Sequence, residues 1–286
     1  MSTGELRTVR VGDFEFEVRV HPGEPVHGAD VLLLHGFPQS AASWDFVSER
    51  LSARGVRSYA PEQRGYSPGA RPADIASYRL SELRTDIVGL CDALGLQRVH
   101  LVGHDWGAIV GWDVAARYPE RVVSLTAVSV PHPAAFARAI ENDPVQAEKS
   151  GYMAFFQQPD APEELLLAND CAGLRAGYGD AVPMVQAAQH IARLREPGAM
   201  TAAVNWYRAA GDSWSSVPAV SVPTTFVWSD ADLAVARSGV DATVEYVDGE
   251  YRLEVLEGVG HWIPEEAPDP LSGIILARIL GYMPGR

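Results

Sequence analysis

The sequence predicts an α/β fold: a mostly parallel central sheet flanked by helices, with a helical lid inserted after the sixth strand. Three observations carry this. Short apolar runs alternate with helical patterns at both ends of the 286-residue chain. Runs such as Val31–Leu34 and Val99–Val102 are apolar throughout, as in strands covered on both faces. Between them, residues 133–216 read as helical and irregular with no buried strand.

Taken in order, Phe14–Val20 alternates like a strand with one buried face, and Val31–Leu34 is a buried strand ending in His35-Gly36-Phe37-Pro38. Trp44–Ala53 reads as a helix, Val56–Ala60 as a short strand, and Ser77–Leu94 as a helix with Leu80, Leu83, Ile87, Leu90 and Leu94 on one stripe. Val99–Val102 is the next strand, Ala108–Tyr118 a helix stopped by Pro119, and Val122–Val130 a further strand. The pattern changes at Pro131-His132-Pro133 and resumes with strand Thr224–Trp228, a helical stretch over Val235–Tyr246, strand Arg252–Leu256 and a closing helix over Leu271–Leu280. Residues 1–132 and 217–286 thus form one core, and 133–216 a lid. Ligands of open α/β sheets sit beyond the carboxyl ends of the strands, which an insertion at this point would roof.

Composition narrows the partners. With 23 basic and 37 acidic residues the net charge is −14, which argues against nucleic acid and anionic membrane surfaces. No apolar run reaches the roughly 20 residues of a membrane span, and the opening Met1–Arg7 lacks a signal-peptide pattern. Cys91 and Cys171 do not make a disulfide framework. The expectation is a cytoplasmic protein. A homodimer is compatible with the sequence, which leaves the oligomeric state open. No metal-ligand cluster or phosphate loop stands out, so no cofactor is implied.

The chemistry is written in Gly103-His104-Asp105-Trp106-Gly107, directly after strand Val99–Val102. Strand, Gly-X-nucleophile-X-Gly, helix is the nucleophile elbow of an α/β-hydrolase fold. Its occupant is Asp rather than Ser. A carboxylate, with a reference pKa of about 3.9, is a nucleophile without help from a base. Attack on an ester carbonyl would give an anhydride, which is uphill. Attack on a saturated carbon bearing a leaving group gives an alkyl ester that water can cleave. The electrophile indicated is an epoxide or a carbon–halogen bond.

Two later stations complete the order nucleophile, acid, His. His261 lies in Gly260-His261-Trp262 after strand Arg252–Leu256, and Asp232 lies in Ser229-Asp230-Ala231-Asp232 after strand Thr224–Trp228. His261 would activate water against the ester, and Asp232 would orient the imidazole, with Asp230 as the alternative acid. Strand Val122–Val130 ends in Ser129-Val130-Pro131, which offers no carboxylate. The backbone N–H groups of Phe37 and Trp106 are candidates for an oxyanion hole, although His35-Gly36-Phe37-Pro38 alone is equally compatible with an ordinary Gly-Pro turn. His35 reads as shaping that loop and as a substrate contact, together with Phe37, Trp106, Phe155 and Trp206. His104 reads as a support of the elbow.

Together, His35-Gly36-Phe37-Pro38, Gly103-His104-Asp105-Trp106-Gly107 and Gly260-His261-Trp262 resemble the α/β-hydrolase-fold epoxide hydrolases, and the resemblance spans the chain. Two lid segments sharpen it: Tyr152-Met153-Ala154-Phe155-Phe156-Gln157-Gln158-Pro159 is similar to the family's Tyr segment ending in Phe-Gln-X-Pro, and Asn205-Trp206-Tyr207-Arg208 to its second, Asn-Trp-Tyr-Arg. The resemblance implies that Tyr152 and Tyr207 donate hydrogen bonds to the oxygen of a small apolar epoxide, with water as second substrate. Read without the resemblance, each Tyr is also compatible with an amphipathic lid residue whose hydroxyl is in water. The chain departs from the family at Pro61–Ser67, where an Asp is often found, and at Ala108, where a second Gly is frequent. Two rivals remain. A haloalkane-type dehalogenase would need halide donors beyond Trp106; Phe37 offers none, leaving Trp206 or Trp214. A non-catalytic small-molecule-binding protein of this fold would be expected to have lost one of these groups.

Overall fold

The computed structural model describes residues 4–281, so residues 1–3 and 282–286 of the expected core range lie outside the described residues. Eight strands form one sheet: β1 Glu5–Val11, β2 Phe14–His21, β3 Asp30–Leu34, β4 Ser58–Pro61, β5 Val99–His104, β6 Val122–Val128, β7 Thr224–Ser229 and β8 Tyr251–Leu256. Their order is β1-β2-β4-β3-β5-β6-β7-β8. Every pairing from β4 to β8 is parallel, and the β1–β2 and β2–β4 pairings are antiparallel.

Helices α1 Asp45–Ala53, α2 Leu80–Ala93 and α3 Trp106–Arg117 connect the early strands. The segment between β6 and β7 holds α4 Pro133–Asn142, α5 Pro144–Lys149, α6 Tyr152–Phe156, α7 Ala161–Tyr178, α8 Met184–Leu194 and α9 Ala199–Arg208. After β7 come α10 Arg237–Ala242, α11 Ile263–Glu266 and α12 Pro268–Ile279.

The fully apolar β3 shows why the sheet is buried on both faces. Leu32 and Leu34 join a core layer with Phe16, Leu101 and Ile109. Val31 and Leu33 point the other way, into a layer with Trp44, Val102 and Ile275. Alternate side chains of one strand thus feed two cores.

Three differences from the sequence reading have physical causes. The edge strand β1 goes unread because only Val9 of its seven residues is buried, so it carries no apolar pattern. Helix α3 starts at Trp106, not Ala108, because the elbow turn is completed within Asp105 alone. Strand β6 stops at Val128, where Ser129 turns to φ 66°. Within the insertion, α7 is interrupted at Ala168–Cys171, and Asn169, Asp170 and Cys171 all have positive φ.

Candidate active site

The loops after β3, β5, β7 and β8 meet at one end of the sheet. Between β5 and α3, Asp105 makes the turn with φ 53° and ψ −120°. Such a conformation costs a non-glycine residue about 1–3 kcal/mol and turns the carboxylate outward. The flanking glycines make room: a methyl group on Gly103 would collide with the Gly107 carbonyl, and one on Gly107 with the Leu34 carbonyl. Gly36 plays the same part from the neighbouring loop, where a Cβ would strike the Asp105 carboxylate itself. Ala108 is accommodated fully buried in α3.

The two Asp105 oxygens face different partners. The Phe37 N–H donates to Oδ1 at 2.8 Å. Oδ2 lies 3.6 Å from His261 Nε2. The other imidazole nitrogen, Nδ1, is 2.9 and 3.1 Å from the two Asp232 carboxylate oxygens. Asp232 Oδ1 also accepts from the Ala234 and Val235 N–H groups at 2.7 and 3.0 Å. Asp230 instead accepts from the exposed Gly258 N–H at 2.7 Å, so Asp232 is the acid placed against His261.

These surroundings set the charges. Burial is the largest influence on His261 and disfavours the imidazolium, but Asp232 and Asp105 together outweigh it and raise its pKa. Burial also opposes ionisation of Asp232, yet His261 and the two backbone donors hold its carboxyl below the usual range. Two carboxylates and one imidazole form a buried cluster in which losing one negative charge must weaken the proton's hold on His261.

The His261 loop is pinned from beneath. Its carbonyl accepts from His104 Nε2 at 2.8 Å and from Ser129 Oγ at 3.1 Å. Burial lowers the His104 pKa to about 4, keeping that ring a neutral support. His35 does the same for the loop after β3: its Nε2 accepts from the Gln63 N–H at 3.1 Å, and burial lowers its pKa to about 3.

A cavity of about 180 Å³ opens over Asp105 and His261. From the strand-end loops come Phe37, Pro38, Leu233, Ala234 and Trp262, and from the insertion Tyr152, Phe156, Leu166, Leu174, Tyr178 and Tyr207. Tyr207 is clamped edge-on by Phe37, Trp106 and Phe156, with ring centroids 5.3, 5.1 and 5.0 Å away. The Tyr152 ring lies 6.1 Å from it. Burial raises the pKa of both phenols, and the Asp105 charge adds to this in each. They therefore stay protonated in the cavity they share with Asp105.

Four residues read as substrate contacts do not line this cavity: His35, Trp106, Phe155 and Trp206. For His35 and Trp106 the reason is burial among other rings: His35 packs against Tyr66 and Trp206, and Trp106 against Trp206, Tyr207 and Trp214. For the other two it is helical phase, because adjacent residues point about 100° apart. Trp206 is fully buried and donates Nε1 to the Arg64 carbonyl at 2.9 Å, leaving Tyr207 on the cavity side. Phe156, not Phe155, faces the space above Asp105. Trp214 is also absent from the lining, so neither tryptophan read as a further halide donor faces the cavity, and Trp262, which does, spends its N–H on the Gly177 carbonyl.

Several contributors escape a reading of the sequence. Gln146 donates to the Ala234 carbonyl and accepts from the Ala236 N–H, and Lys149 Nζ donates to the Asp232 carbonyl at 2.6 Å, so α5 braces the Asp232 loop. Tyr178 donates its hydroxyl to the Pro38 carbonyl at 2.9 Å, and Trp262 Nε1 donates to the Gly177 carbonyl at 3.0 Å. A tryptophan directly after the site histidine is the available hint for the last of these.

Residues 31–268 match the family described as alpha/beta hydrolase fold. The chain is 35% identical over 256 residues to the "AB hydrolase superfamily protein YfhM" of Bacillus subtilis (strain 168), covering 87% of this chain and 89% of that protein. It is 31% identical over 319 residues to "Epoxide hydrolase A" of Mycobacterium tuberculosis, covering 96% and 94%. Among solved structures, epoxide hydrolase A from Mycobacterium thermoresistibile superposes with a TM-score of 0.84 at 25% identity, covering 99% of this chain and 100% of that one.

Proposed function

This chain belongs to the α/β-hydrolase-fold epoxide hydrolase family, and from that premise we propose that it opens a small apolar epoxide to a vicinal diol through a covalent ester on Asp105. The observation that carries the reading is a carboxylate nucleophile at a strained elbow sharing one apolar cavity with two phenols, one buried and one half-buried, and a His–Asp pair.

In the first step Asp105 Oδ2 attacks an epoxide carbon. That oxygen is assigned because Oδ1 is engaged by the Phe37 N–H. The carbon–oxygen bond of the ring breaks, and the leaving oxygen takes a proton from one of the two phenols, Tyr152 or Tyr207, while the other donates a hydrogen bond. The phenols stabilise charge that exists only as the ring opens, so their contribution falls on the transition state.

In the second step His261 Nε2 takes a proton from water, and the water oxygen adds to the Asp105 ester carbonyl. The oxyanion forms on Oδ1, held by the N–H groups of Phe37 and Trp106, an interaction worth about 3–4 kcal/mol per donor in comparable sites. On collapse the alkyl oxygen leaves with the proton from His261, giving the diol. The remaining acid proton returns to the tyrosinate, and Asp105 is regenerated with one oxygen from water. Asp232 holds the imidazole in place and stabilises its charged form.

Esterification also prepares His261 for its role. Its proton is held by Asp232 and Asp105 together. Converting Asp105 to a neutral ester removes one of these charges when a base is needed.

In this reading residues 133–216 act as a lid over a core of 1–132 and 217–286. All the named groups come from one chain, so the chemistry does not require a homodimer. No described helix is long and apolar enough to cross a membrane, and Cys91 and Cys171 are buried free thiols, which suits a cytoplasmic setting.

The test is to trap the ester. His261→Gln, incubated with styrene oxide and analysed by mass spectrometry, is expected to carry one substrate mass on the peptide containing Asp105. An unmodified protein, with the wild type still forming diol, would overturn the covalent route.

A further inference from the structure

Outside the reacting groups, four buried polar side chains meet behind the site: Gln39, Ser40, His190 and Glu265, each no more than 4% exposed. They come from three separate parts of the chain. Gln39 and Ser40 follow Phe37-Pro38 in the loop after β3. Glu265 lies in α11, four residues after His261, and His190 lies in α8 of the insertion.

Their bonds form one connected unit. Gln39 Nε2 donates to both Glu265 oxygens, at 2.7 and 2.6 Å. His190 Nδ1 accepts from the Ser40 N–H at 3.0 Å and lies 2.9 Å from Ser40 Oγ. That leaves Nε2 to carry the ring proton, which it donates to Glu265 Oε1 at 3.1 Å. Burial lowers the His190 pKa to about 3, in keeping with a neutral ring. Burial pushes the Glu265 carboxyl up to about 8 against the opposing pull of the Gln39 bond, so its oxygens need partners, and these lie on the loop that carries the Phe37 N–H and on the insertion.

Resting on the function proposed above, we infer that Glu265 is a positioning residue that fixes the distance between the Phe37 N–H and His261, with His190 tying that spacing to the seated insertion. The consequence is specific to one step. Ring opening depends on Asp105 and the two phenols, none of which touches Glu265, and it uses the Phe37 N–H only as a partner of the oxygen that does not attack. Ester hydrolysis needs Phe37 and His261 on the same carbonyl at the same time. A displacement of the order of 1 Å in such an arrangement costs about 100-fold.

The experiment uses the full chain and styrene oxide, with Glu265→Gln, Gln39→Glu and the double swap Glu265→Gln/Gln39→Glu. The swap restores an amide–carboxyl pair with the roles exchanged, and the amide introduced at position 265 retains an oxygen for His190. Glu265→Gln is expected to slow ester decay about 10-fold, lowering kcat while kcat/KM stays near the wild-type value, and the swap is expected to recover most of the loss. Ester decay in a single turnover is read on folded molecules only, so it remains informative if a variant is partly unfolded.

A merely structural role would lower kcat and kcat/KM together and leave the decay constant unchanged; that result, or a swap no faster than Glu265→Gln, overturns the inference. Absence of any ester in His261→Gln would overturn the proposed function, and this inference with it. Ester formed normally but lost at the wild-type rate in Glu265→Gln would overturn this inference alone.

Discussion

The strand-end loops and the helical insertion present their reactive groups in different ways. Asp105, His261 and Asp232 are buried, stand at the ends of strands and are fixed by bonds of 2.7–3.1 Å to neighbours in the core. Across the cavity Tyr152 sits on α6, a helix of five residues with no buried member, although Tyr207 opposite it is almost fully buried. The half that forms and cleaves the ester in the proposed mechanism is locked. The half that grips the substrate is part locked and part adjustable. Under the proposed function, reaction type would reside in the sheet and substrate range in the insertion, as expected when function is placed on loops carried by a rigid scaffold.

The most severe way to break the locked half is Asp105→Ala. It removes the proposed nucleophile, and diol formation, followed by chromatography, is expected to fall to the uncatalysed level. Removing the adjustable half's donors comes next. Tyr207→Phe is expected to slow ester formation about 100-fold, in the range for loss of one preorganised donor. Tyr152→Phe is expected to cost less, about 10-fold, because its short helix allows more readjustment. Equal losses measured by rapid quench would blur the distinction between the two phenols.

The pH behaviour sharpens the comparison from the core side. In the free enzyme His261 is held protonated by two carboxylates. Asp105→Ala is therefore expected to lower the imidazole pKa, readable by NMR titration of the ring. Decay of the wild-type ester is expected to accelerate as pH rises, since only neutral His261 takes a proton from water. Stability has its own sign. A group whose folded pKa is raised stabilises fully below its unfolded value, about 6.5 for His, and that contribution fades as pH rises through the folded pKa. Relative to His261→Gln, the wild type should lose stability on the alkaline side, as read by denaturant unfolding at each pH. The smallest effect separates two adjacent phenylalanines: Phe156→Ala should raise KM several-fold, whereas Phe155→Ala, off the cavity, should leave it near the wild-type value.

What can be read from the sequence follows from physical constraint. The elbow and the loop after β3 are legible because close backbone approach admits only glycine at Gly36, Gly103 and Gly107. The buried strands are legible because parallel strands covered on both faces must be apolar. Strand β1 is not, because an exposed edge strand has no such demand. Phe155 is indistinguishable from Phe156 because five residues do not set a helical phase. The Gln39–Glu265–His190 unit is invisible because its members lie 75 to 226 residues apart, and a lone histidine announces nothing about its partners.

The central claim, that the diol oxygen delivered in the first cycle comes from Asp105 and not from solvent, is tested most directly by one turnover in heavy-oxygen water with enzyme in excess. Label is expected in the Asp105 carboxylate and none in the diol formed. Label in that first diol, with an unlabelled Asp105, would contradict it.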